Sequence, residues 1–197
     1  MCEAVTVGYA RNSVLVASMS SRSLPVAAAV ALTIAACGHQ KSPSTAAPAP
    51  APAFRALADA TDIGGSKVGP ASAATVATVV IVFASWCQPC RQELAILGGL
   101  RDQHPNARIV GINAYEDYAG RSDHQRLQAF LAESAPWLRV IRANKQLLRA
   151  FGGVPKVPSV FVYDRRGVLI HNYDRTRTRP PTAAELDKAI ARASDSS

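Results

Sequence analysis

Apolar and polar positions fall into a regular succession of short runs over most of the chain. Residues 75 to 85, TVATVVIVFAS, are almost continuously β-branched or apolar, which predicts a strand buried on both faces. Directly after it, Gln88 to Gln103 changes period: Leu94, Leu97 and Leu100 recur at helical spacing. Arg108 to Ala114, RIVGINA, predicts a second strand, and Ser122 to Glu133 a helix with Leu127, Phe130 and Leu131 on one face. Leu138 to Arg142 reads as a short strand, and Asn144 to Phe151 as a helix stopped by Gly152 and Gly153. The run PSVFVYDRRGVLIHNY holds two apolar segments joined by Asp164-Arg165-Arg166-Gly167, a hairpin signal. A last helix is predicted from Thr182, a suitable N-cap with Glu185 three residues on, to about Ala193. Strands alternating with helices, then a hairpin and a closing helix, predict an α/β layered domain. There is no internal repeat.

The pattern ahead of this domain is different. From Met19 the chain carries Arg22 and then the apolar stretch Leu24 to Ala36, thirteen residues that end in small side chains. That is a secretory pattern, too short for the ~20 residues of a membrane-spanning helix. Ile34-Ala35-Ala36-Cys37 resembles the bacterial lipobox, which makes Cys37 a lipid anchor, with an ordinary export signal and a chance cysteine as the alternative. A complete signal at Met19 leaves residues 1 to 18 as a start extension and gives Cys2 no role in the mature chain. Residues 37 to 53 are rich in Pro, Ala and Ser and read as a tether. Residues 54 to 75 are poorly patterned, and 76 to 197 form the domain.

Charge refines the picture only a little. The 197 residues include 22 Lys and Arg against 14 Asp and Glu, a net +8. The arginines are scattered without interleaved aromatics, which fits a solvated surface and no nucleic-acid site. The one dense cluster, DRTRTRPP at 174 to 181, falls at the end of the last strand, where a partner or membrane surface can meet it. No phosphate loop or dinucleotide fingerprint occurs, so no cofactor is expected and electrons would arrive by thiol exchange with another protein.

The chemistry rests on Cys87 and Cys90. A structural zinc site needs four ligands, and the domain offers no third cysteine and only the dispersed His104, His124 and His171, so no metal is expected. A purely structural disulfide closing so short a loop would constrain the unfolded chain little. Exchange chemistry has a mechanism. Cys87 falls where strand passes to helix, so its sulfur would sit at the positive end of the helix dipole, which lowers a thiol pKa from ~8.5 and favours the attacking thiolate. Cys90, one turn on and deeper, would resolve the mixed disulfide. Pro89 is tolerated early in a helix. Trp86 supplies an aromatic docking surface, with simple packing as its alternative.

FASWCQPC together with VPSVFVYDRRGVL resembles the thioredoxin superfamily over roughly residues 76 to 194, and WCQPCRQE with the lipoprotein-style leader is most similar to the TlpA/ResA-like branch of membrane-tethered thioredoxins. The resemblance implies a thioredoxin fold, a central mixed β-sheet flanked by helices, with a helix-strand insertion filled by Ser122 to Arg142. It implies that Pro158, with Pro155 as the competing candidate, is the cis-proline beside the cysteines, leaving the Val157 backbone free to pair with an incoming peptide. It further implies that Glu93, three residues after Cys90, exchanges a proton with it, a role given in thioredoxins to an acid on the preceding strand where this chain has Ile81. The plain alternative is an exposed glutamate balanced by Arg91 or Arg101. One departure stands out. The family opens its domain with an apolar β-hairpin, whereas FRALADATDIGGSKVGPASAA is small, polar and Gly-rich, so that hairpin is degenerate or the segment is disordered.

The leading expectation is therefore a thiol-disulfide oxidoreductase on the outer face of a bacterial membrane, facing the periplasm or cell exterior. It would reduce client disulfides, such as those in apocytochrome c or metal-site assembly factors, with electrons from a membrane thiol donor. The alternatives are a disulfide donor for secreted proteins, or a non-enzymatic protein binding a metal or a partner through its CxxC pair.

Overall fold

The chain was described from a computed structural model covering residues 49–117 and 124–196. The expected start extension, export signal and Cys37 lie outside the described residues. No helix among the described residues is long and apolar enough to cross a membrane.

A five-stranded mixed sheet forms the middle layer. Its strands are β1 (Ala77–Phe83), β2 (Ala107–Asn113), β3 (Arg139–Arg142), β4 (Ser159–Asp164) and β5 (Leu169–Tyr173), in the order β3-β2-β1-β4-β5. β1, β2 and β3 run parallel; β4 is antiparallel to β1, and β5 to β4. Every residue of β1 is buried, as a run without polar alternation requires at the centre of a two-sided sheet. On one face Val79, Ile81 and Phe83 meet Leu94 and Leu97 of α2 (Gln88–Gln103), Leu127 and Phe130 of α3 (His124–Ser134), and Leu186 and Ile190 of α5 (Ala183–Asp195). On the other, Val80 and Val82 join Leu57 of α1 (Pro52–Asp59), Leu147 of α4 (Lys145–Ala150), Phe161 and Tyr163. Each fully buried Val, Leu, Ile or Phe contributes ~1.5–3 kcal/mol, so this double core fixes where both ends of β1 point.

The predicted elements are present with ends moved by a few residues. Thr182 caps α5 in a capping box with Glu185, and Asn144 caps α4 through the Leu147 N–H. The chain therefore has the expected central mixed sheet flanked by helices.

The poorly patterned segment is where expectation and structure part. It is ordered: α1 begins at Pro52 and buries Ala53 and Leu57, one helical turn apart. Beyond it, Thr61 bridges Lys67, and Asp62 bridges Ile141 on the edge strand β3. The Asp62 carboxylate accepts hydrogen bonds from the Gly64 and Ser66 N–H groups and pairs with Arg139 at 2.8 Å. A run of small residues hides such a segment because only a few buried side chains, Ala53, Leu57 and Val68, and one salt bridge hold it.

Gly167 shows how α1 and the hairpin depend on each other. The turn between β4 and β5 places it at φ 79°, and its carbonyl accepts from the Ala51 N–H at 2.8 Å. A Cβ there would run into the Phe54 ring. Gly153 has a similar φ of 89° but open space around it. Gly167→Ala is expected to lower the unfolding free energy by about 2–4 kcal/mol, and Gly153→Ala by about 1–2 kcal/mol. Urea denaturation midpoints measure both; equal losses would contradict the packing of Phe54 over the turn.

Candidate active site

Cys87 is the N-cap residue of α2, at φ −86° and ψ 103°. Its sulfur accepts the Cys90 N–H at 3.2 Å, sharing that amide of the first helical turn with the Cys87 carbonyl at 3.0 Å. Pro89 fills the first turn, where a missing N–H is harmless. Cys87 and Cys90 are joined by a disulfide with a Cα–Cα distance of 5.3 Å. Cys87 is 5% exposed and Cys90 fully buried, so the two sulfurs differ in access as well as in position on the helix. Helix dipole and amide hydrogen bond both favour a negative charge on Cys87 Sγ once the bond opens.

Glu93 lies on the same helix face, one turn beyond Cys90, and is 2% exposed. The alternative of an exposed, arginine-balanced glutamate is excluded, because Arg91 pairs with Glu133 at 3.1 Å and Arg101 with Asp102 at 2.8 Å. Its Oε1 has no hydrogen-bond partner among the described residues. Burial pushes the Glu93 carboxyl up from 4.5 to about 7. Ile81, on β1, is fully buried and apolar, so the strand offers no ionisable group at that point.

The loop bearing the cysteines is held by contacts that sequence reasoning did not single out. Glu116, 4% exposed, accepts the Ser85 N–H at 2.5 Å, the Ser85 hydroxyl at 2.7 Å and the Asn113 amide at 2.7 Å. Trp86 donates its indole N–H to the Tyr115 carbonyl at 2.7 Å, and the Tyr115 hydroxyl donates to the Val154 carbonyl. Tyr115 itself sits at φ 60°, a left-handed conformation that L side chains seldom adopt. Three loops are thereby tied together: the one after β1, the one after β2 and the one before β4. A signal for them was available, since loops that follow neighbouring parallel strands emerge at the same end of a sheet.

Val157 and Pro158 directly precede β4. The Val157–Pro158 bond is cis, and Pro155, the competing candidate, is exposed. Val157 packs against the core cluster that contains both cysteines, and no hydrogen bond among the described residues uses its N–H or carbonyl. Trp86, 41% exposed, and Val157 both line an open groove of about 620 Å³. Among the described residues no group of three or more His, Cys, Asp or Glu side chains is placed to hold a metal ion.

No family model matches the chain. It is 29% identical to the thiol:disulfide interchange protein HelX of Rhodobacter capsulatus over 118 residues, 59% of this chain and 62% of that protein. The chain spans 60% and 63% of two further curated relatives, the thioredoxin-like protein YneN and the sporulation thiol-disulfide oxidoreductase A of Bacillus subtilis. Among solved structures, a thiol:disulfide interchange protein of the thioredoxin family from Chlorobium tepidum superposes with a TM-score of 0.59 at 24% identity, covering 75% of this chain and 97% of that one. A secreted disulfide oxidoreductase of Mycobacterium tuberculosis gives 0.54 at 18% identity, covering 68% and 93%. These likenesses establish the thioredoxin fold.

The buried carboxyl makes a signed prediction. The native state holds the Glu93 proton to about pH 7, whereas the unfolded chain releases it near 4.5, so the folded form binds more protons in that window. Stability therefore falls as pH rises from about 4.5 to about 7 and levels off above, a loss on the order of 3 kcal/mol at ~1.4 kcal/mol per pH unit. Glu93→Gln is expected to remove that fall, which denaturant unfolding of both proteins between pH 4 and 8 measures. Parallel stability profiles would contradict the buried, protonated carboxyl.

Proposed function

We propose that this thioredoxin-fold chain is a thiol-disulfide oxidoreductase that reduces the disulfides of exported client proteins. The carrying observation is the seat of Cys87 at the start of α2, its sulfur accepting the Cys90 amide and joined to the buried Cys90 sulfur three residues further along the helix. Relatives that are themselves thiol-disulfide interchange proteins support the reading.

In the reduced chain the Cys87 thiolate attacks one sulfur of the client disulfide. A Cys87–client bond forms, and the second client sulfur leaves as a thiolate that takes a proton from water. Cys90 then passes its proton to the Glu93 carboxylate and attacks Cys87 Sγ. The Cys87–Cys90 bond forms and the first client sulfur leaves. Two electrons have moved to the client, and the chain has become the oxidised form described above. A carboxyl that titrates at about 7 is half ionised at neutral pH, so it can take this proton in one direction and return it in the other. A membrane-borne dithiol resets the pair by the same exchange.

Trp86 and Val157 form the client-docking surface. An extended client segment pairs with the unused Val157 backbone, which sets its disulfide across the groove from Cys87. The leader and the lipobox-like Ile34 to Cys37 support export and a lipid anchor at Cys37, with the Pro- and Ala-rich residues as the tether. Clients in this setting are exported proteins whose cysteine pairs must be reduced before a cofactor or metal is attached, as in cytochrome c maturation or metal-site assembly.

The test is a trap in the native host. Cys90→Ser is expected to accumulate membrane-associated mixed disulfides on Cys87 that dithiothreitol dissolves. Cys87→Ser should yield none, and Cys37→Ser should move the trapped species to the soluble fraction. Absence of trapped species with Cys90→Ser would contradict exchange; clients that are found more reduced when the gene is deleted would reverse its direction.

A further inference from the structure

The groove beside the cysteines is cationic as well as aromatic. Besides Trp86, Tyr115 and Val157 it is lined by Lys156 and Arg175. Arg175 belongs to the arginine-rich run that follows β5, and it is the member of that run turned into the groove. Arg179 is committed to Glu185 at 2.7 Å, and Arg177 lies 3.8 Å from Asp174. Neither the Lys156 ammonium nor the half-buried Arg175 guanidinium has an ion-pair or hydrogen-bond partner among the described residues.

The nearby acids are otherwise engaged. Glu116 is consumed by Ser85 and Asn113. Asp174 accepts the Thr176 N–H and hydroxyl, at 2.9 and 2.8 Å. Asp117 lines a separate hollow with Arg142 and Lys145.

The backbones that carry the two cations are held together. The buried Ser159 hydroxyl donates to the Lys156 carbonyl at 3.0 Å and accepts the Arg175 N–H at 3.3 Å, so one side chain at the start of β4 holds both backbones. A guanidinium cannot shed its charge, and a half-buried one without a counter-ion gains from any carboxylate that reaches it, up to a two-point contact. Peptide is the fitting source of that carboxylate, because the unused Val157 backbone lines the same groove as Trp86 and both cations.

We propose that Lys156 and Arg175 select client segments carrying an aspartate or glutamate within a few residues of the target cysteine. This rests on the oxidoreductase reading and adds to it the sequence class of the client. The extended segment lies along Val157, its apolar neighbours cover Trp86, and its carboxylate meets Arg175 with Lys156 as the second cation.

The test uses the full-length oxidised chain and three labelled peptides of one sequence, with serine in place of the target cysteine and Glu, Gln or Lys two residues away. Fluorescence anisotropy is expected to show the Glu peptide bound roughly fivefold more tightly than the Gln peptide, with the margin narrowing as salt rises. Arg175→Glu should invert the order in favour of the Lys peptide; Lys156→Glu, at an exposed position, gives the same inversion if Arg175→Glu does not fold. Equal binding of the Glu and Gln peptides, no measurable binding of any, or a Glu preference that survives charge reversal would overturn the inference. Exchange of the reduced wild type with the small neutral bis(2-hydroxyethyl) disulfide is measured in parallel. Failure there with the Glu preference intact removes the oxidoreductase reading and leaves the groove as a carboxylate-selecting peptide site.

Discussion

The handover from β1 to α2 is the constraint on which the rest of the site depends. β1 is buried along its whole length, so its register against β2 and β4 leaves no freedom in where Ala84 emerges. Three residues later the helix must begin, and its first amides need an acceptor. Cys87 Sγ supplies one. The Cys90 N–H is shared between that sulfur and the Cys87 carbonyl, so the sulfur is held at the positive end of the helix. Glu116 keeps that junction tight from behind, with three short hydrogen bonds from Ser85 and Asn113.

Such a site conflicts locally with stability. Glu93 occupies a place where leucine would pack well, between Cys90 and Leu97 on the buried face of α2, and its Oε1 goes without a partner. An unpartnered buried carboxylate is unfavourable, so the group keeps its proton up to near neutrality. That makes it poorly suited to holding the fold and well suited to trading a proton with a neighbouring thiol at physiological pH. With Ile81 on β1, the buried carboxyl near the cysteines is on the helix and not on the strand.

Much of this is legible in the amino-acid sequence. The uninterrupted run from Thr75 to Ser85 marked the central strand, and the change of period at Gln88 marked the helix that carries the cysteines. Thr182 and Glu185 announced the last helix through their spacing alone. The α1 helix was not legible, because eight residues give barely two turns of pattern and Ala53 and Leu57 gain their burial from the sheet face and Leu147 of α4. Glu116, Tyr115, Ser159 and Arg175 were missed for a related reason. Their significance lies in which loops meet at the end of the sheet, and the pattern of parallel strands points to that end without naming the side chains that meet there. Glu93 was singled out, but its burial was open between two readings until the partners of Arg91 and Arg101 were known.

The central claim is that the Cys87–Cys90 bond opens and closes in use. The most direct measurement is the reduction potential of the full-length chain, obtained by equilibration in glutathione redox buffers with quantification of free thiols. The account predicts a single two-electron transition between the value of a strong oxidant, about −120 mV, and that of thioredoxin, about −270 mV, towards the thioredoxin end. A disulfide that stays closed in buffers poised below about −300 mV would mark a structural bond and contradict exchange.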